Sequence, residues 1–77
     1  MPEVKETVFV DRFEYEDISS LLNEILRKAE IFVRFNDCSP KYVKMTPKQY
    51  YGILNHNESL VRKVEKDYYI LCMKIIF

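Results

Sequence analysis

Seventy-seven residues with 12 basic and 12 acidic side chains give zero formal net charge, with 48% hydrophobic residues, 14% aromatic residues and one glycine. That length supports a single small α+β domain over residues 1–77, and the neutral balance argues against blanket adhesion to nucleic acid or anionic lipid. Two cysteines, Cys38 and Cys72, do not make a disulfide framework, and the first residues hold no apolar leader, so the expectation is a cytoplasmic chain with free thiols. Charge is unevenly placed: residues 1–30 hold four basic against eight acidic side chains, and residues 31–77 hold eight against four. Such asymmetry favours oriented docking on a charge-complementary partner, unless the two halves interleave in space.

In chain order, Val4 to Val10 alternates β-branched and polar residues and predicts a strand. An acidic, aromatic connection follows at Phe13-Glu14-Tyr15-Glu16-Asp17. Asp17 can cap a helix whose apolar positions Ile18, Leu21, Leu22, Ile25, Leu26 and Ala29 recur at helical spacing. Glu24 and Lys28 are placed for a favourable i,i+4 pair. Residues 31–35 (Ile-Phe-Val-Arg-Phe) turn β-branched and aromatic, predicting a second strand, although the helical period can formally run on through Phe32 and Val33. The turn cluster Asn36 to Pro40 then predicts a hairpin whose second arm is Tyr42–Met45.

The sharpest local signal is Thr46-Pro47-Lys48-Gln49, with an N-cap, a proline for the first helical position and a glutamine to close a capping box. That helix carries Tyr50, Ile53 and Leu54 inward and stops near Asn55-His56-Asn57. Residues 60–65 fit either a strand or a helical turn. Tyr68 to Phe77 is apolar on both alternating faces apart from Lys74, which predicts one inner strand, too short to cross a bilayer. The order suits a ferredoxin-like β-α-β-β-α-β sandwich, with two helices on one face of a mainly antiparallel sheet. Its apolar second face would need a cover, such as a second copy in a homodimer or another partner.

Catalytic chemistry finds little to work with. His56 is the single histidine, in a polar helix end, and no Cys-x-x-Cys or His-x-x-x-His spacing offers a metal ligand set. Gly52 stands alone, without a phosphate-cradling loop, and the carboxylates of the Phe13–Asp17 connection are not held apart as an acid and base would be. The expectation is a non-enzymatic protein that needs no cofactor or metal. Six tyrosines and five phenylalanines exceed what so small a core needs, which favours protein binding. Phe13 and Tyr15 would be anchors within an acidic rim of Glu14, Glu16 and Asp17, unless Phe13 tucks under the first helix as a staple. Tyr51 is added because it and Tyr50 cannot both face inward on one helix. The alternative is single-stranded nucleic-acid binding by Arg34, Lys41, Tyr42, Lys44 and Lys48 around the predicted hairpin, weighed against ordinary lysine guarding of a sheet edge.

The segment Lys44-Met-Thr-Pro-Lys-Gln-Tyr-Tyr-Gly52, followed by a short apolar closing strand, resembles the build of small accessory proteins encoded by bacteriophages. The resemblance covers about the last 35 residues and transfers no functional residue. It implies a modulator or inhibitor of a host enzyme, polymerase or protease, acting in the host cytoplasm, or else a minor virion component.

Overall fold

A computed structural model describes residues 6–77. Among the described residues its elements include strand β1 (Thr7–Phe9), helix α1 (Ile18–Asn36), strand β2 (Tyr42–Lys44), helix α2 (Pro47–His56), a 3₁₀ turn (Glu58–Leu60), and strands β3 (Arg62–Val64), β4 (Asp67–Ile70) and β5 (Met73–Ile76). Residues 4 and 5 of the first predicted strand lie outside the described residues. The protein is α+β, with two helices and a five-stranded mixed sheet ordered β1-β2-β5-β4-β3.

The strand order departs from the ferredoxin-like expectation. β1, β2 and β5 run parallel, while β4 is antiparallel to both β5 and β3. Parallel neighbours cannot be joined by a tight turn, so α1 serves as the crossover between β1 and β2. The predicted strand over residues 31–35 is instead the second half of α1. Extending an existing helix costs far less than starting a new element, and Phe32 continues the inward stripe of Ile25 and Ala29. The helix stops only at Asp37, which enters the left-handed region at φ 57 and donates its N–H to the Val33 carbonyl at 2.9 Å.

The closing segment also differs. Tyr68 to Phe77 is not one strand but most of a hairpin, β4 and β5, folded at Leu71-Cys72. β5 is the inner strand expected there, lying between β2 and β4. Residues 60–65 resolve as the end of the 3₁₀ turn followed by the edge strand β3.

One side of the sheet carries the core. Val8, Val10, Val43, Met45, Ile70, Met73 and Ile75 pack with Leu21 and Ile25 of α1 and Tyr50 and Ile53 of α2, so both helices cover the same face. Each such burial is worth roughly 1.5–3 kcal/mol. At Gly52, a Cβ would sit 2.8 Å from Ile18 Cδ1, so the lone glycine brings α2 close against the first turn of α1. Glu24 is buried on α1 because Arg27 grips it with two hydrogen bonds of 2.9 and 3.0 Å. The anticipated Lys28 partner is more distant, at 3.9 Å, and Lys28 also donates to the Phe9 carbonyl at 2.7 Å.

The capping box at Thr46 forms as expected, and it does more than start a helix. Gln49 accepts from the Thr46 N–H at 2.9 Å, while its amide nitrogen donates to the carbonyls of Val10 at 2.7 Å and Phe13 at 3.3 Å. One buried side chain therefore fixes the α2 N-terminus and the β1–α1 connection together. Gln49→Leu should cost about 3 kcal/mol, since it leaves buried backbone groups unpaired. Thr46→Ala should cost only about 1 kcal/mol, the usual value of an N-cap. Urea unfolding of the two variants measures the difference.

Candidate binding surfaces

Helix α1 is long for the sheet it covers. Nineteen residues extend about 28 Å, whereas strands of three or four residues reach only about 10–14 Å. The second half of α1 therefore leaves apolar side chains in solvent: Ile31, Val33 and, at 79% exposure, Phe35, with the exposed Leu26 just before its midpoint. On one flank, Leu26, Ala29 and Val33 face Pro40, Leu71 and Met73 across a groove of about 550 Å³.

The tip of the β4–β5 hairpin closes that groove, and its chemistry is unusual. Ile70 pairs with Met73, so Leu71 and Cys72 form a two-residue loop, and both have positive φ, at 50° and 68°. Such a loop favours Asn-Gly, because a Cβ in the left-handed region is crowded. Leu71 nevertheless holds an apolar side chain there at 49% exposure, and Cys72 is an exposed free thiol. Leu71 also lines a second groove of about 500 Å³ with Leu60, Arg62, Val64 and Tyr69. The tip lies at the meeting point of helix flank and sheet.

The face of the sheet away from the helices carries Thr7, Phe9, Tyr42, Lys44, Arg62, Val64, Tyr69, Lys74 and Ile76, which alternate with the core-facing residues along their strands; Thr7, at its β1 edge, is buried. Tyr42 and Tyr69 are half-buried but absent from the side chains packed on the core. Asp67 shares this face and pairs with Lys74 at 3.4 Å.

The sequence-predicted sites are scattered by the fold. Phe13 and Tyr15 are half-buried and pack on the core, so neither stands out as an anchor: Gln49 draws their connection down onto α2. Glu14 and Glu16 remain exposed, and Asp17 is occupied as the α1 cap, accepting from the Ser20 N–H at 2.8 Å. Tyr51 is 62% exposed, with its ring 5.4 Å from that of Tyr50. Of the basic set, Tyr42 and Lys44 lie on the open sheet face, and Lys41 borders it while pairing with Glu6 at 3.4 Å. Arg34 stands on the α1 groove, and Lys48 lies on α2 beside Glu14 and Tyr15. Sequence reading missed Tyr69, Lys74 and Arg62 as companions of Tyr42, because only the strand register brings them together.

His56 is exposed at the α2 C-terminus, and Cys38 is exposed beyond the end of α1. Among the described residues, no three His, Cys, Asp or Glu side chains cluster as metal ligands, and no helix is long and apolar enough to cross a membrane. No protein-family model, curated protein or solved structure matches the chain.

Two predictions follow from these geometries. The Ser20 N–H holds the Asp17 carboxyl below its ordinary pKa of 3.8. A folded-state pKa below the unfolded one gives stability that is present above the ordinary value and lost as pH falls through the lowered one. Asp17→Asn, which caps about as well, should flatten that acid limb and leave stability at neutral pH nearly unchanged; melting temperatures across pH 2–6 measure this. Separately, replacing Leu71-Cys72 with Asn-Gly should stabilise the fold by about 1–2 kcal/mol, read by urea unfolding, since the replacement residues accept positive φ.

Proposed function

We propose that the protein is a non-enzymatic binding module that docks another protein through the apolar corner formed by Leu71, Leu26 and Val33. The observation that carries this reading is Leu71: an exposed leucine held in a backbone conformation that asparagine or glycine would adopt at lower cost. A half-exposed aliphatic side chain at a strained turn adds nothing evident to folding, and it lines the groove beneath the overhanging half of α1. Apolar side chains grouped beside Glu30 and Arg34 suit a protein interface with a polar rim. The resemblance to small phage accessory proteins would make the partner a host protein and the module its modulator or inhibitor. The exposed Glu14 and Glu16 would steer such a partner and set its association rate, without anchoring it.

The Asn-Gly replacement at the tip separates docking from folding, because it should raise stability while removing the anchor. Immobilised wild-type protein should capture one specific partner from a bacterial host lysate, and the replaced tip should lose it. Reversing Glu14 and Glu16 to Lys should slow association and leave the captured partner the same. Retention of the partner by the Asn-Gly variant would refute the reading.

A further inference from the structure

The open face of the sheet has an order that the hairpin tip does not explain. Register places Tyr42 opposite Lys74, Lys74 opposite Tyr69, and Tyr69 opposite Arg62, so one row across β2, β5, β4 and β3 alternates aromatic and cationic side chains. A parallel row sets Phe9, 44% exposed, beside Lys44 and Ile76. Neighbouring strands lie about 4.8 Å apart, which puts Tyr42 and Tyr69 about 10 Å from each other with Lys74 on the strand between them, its ammonium group 3.4 Å from Asp67. A shallow groove of about 580 Å³ joins both tyrosines to Lys41 and Lys74.

The charges indicate what can lie there. Among the described residues, Lys41, Lys44, Lys74 and Arg62 lie on or beside this face against two acids, with Glu6 paired to Lys41 and Asp67 to Lys74, which leaves Lys44 and Arg62 as the cations in excess. The acidic connection is on the other side, because Phe13 and Tyr15 pack into the helix-covered core. A second copy laid face to face would bring like cations together, so self-association through this face is disfavoured. We propose that this face is a stacking platform for single-stranded nucleic acid, with bases on Tyr42 and Tyr69 and phosphates met by Lys44, Lys74 and Arg62. Ring faces accept any base, and cations between them meet the backbone, which is how sequence-tolerant single-strand sites are built. The platform adjoins the protein-docking corner at Leu71, which lines a groove with Arg62 and Tyr69, but it uses different anchors, so substitutions at Tyr42 and Lys44 test it apart from the corner.

The test is fluorescence anisotropy with labelled oligothymidylate and oligouridylate of about 12 nucleotides, titrated with the full chain at low and physiological salt. Expected are micromolar binding and a log–log salt slope near −2, corresponding to about three phosphate contacts on a single strand. Tyr42→Ala and Tyr69→Ala should each weaken binding about tenfold, Tyr42→Phe and Tyr69→Phe should retain it, and Lys44→Gln should make the slope shallower by about 0.7. Circular dichroism reports folding, and should either alanine variant unfold, the phenylalanine and Lys44→Gln variants still decide. Absence of binding at low salt overturns the proposal. So does equal competition by polyglutamate of matched charge, which would mark the face as a site for acidic protein.

Discussion

Insertion of β5 between β2 and β4 is the constraint on which the rest of the structure depends. Without it the chain would hold two fragments: the parallel pair β1–β2 bridged by α1, and the antiparallel pair β3–β4. β5 joins them by pairing parallel on one side and antiparallel on the other, and flanking bonds from Lys74 N to Lys41 O and from Met45 N to Ile76 O extend the seam. Its Met73 and Ile75 also place the centre of the sheet beneath both helices. A short strand far along the sequence thus completes a sheet begun at Thr7, and loop-closure entropy must be met before that pairing is rewarded.

The same arrangement creates the surfaces. Inserting β5 beside β4 requires a tight hairpin between them, and the chain makes it with Leu71 and Cys72 at positive φ. Two helices suffice to cover one face of the sheet, which leaves Tyr42, Tyr69 and their cations on the other. The overhang of α1 past short strands exposes Ile31, Val33 and Phe35. Gln49 works in the opposite sense, closing off the β1–α1 connection by pinning it to α2.

Much of the secondary structure was legible where local chemistry and tertiary need agree. The Thr46-Pro47-Gln49 cap, the Asp17 cap and the Ile18–Ala29 stripe each lie where the residues place them. Two segments were misread, each for its own reason. Residues 31–35 have strand-like composition but continue a helix already paid for in nucleation, and Tyr68–Phe77 is uniformly apolar without the glycine or asparagine that marks a turn. With a strand misplaced and a hairpin hidden, strand order could not be obtained from pattern alone. The candidate surfaces suffered accordingly: Tyr42 and Lys44 were singled out, yet their neighbours across the sheet follow only from register. Phe13 and Tyr15 looked available because a buried glutamine at a distance of 36 residues from Phe13 carries no sequence signal.

Native-state hydrogen exchange followed by NMR tests the role of β5 most directly. Backbone amides of Met73–Ile76 that donate within the sheet should be among the slowest in the protein, opening only with global unfolding. Those of the edge strand Arg62–Val64 should exchange faster. If the β5 amides exchange as fast as the β3 edge, the strand is not the seam of the sheet, and the mixed five-stranded arrangement is contradicted.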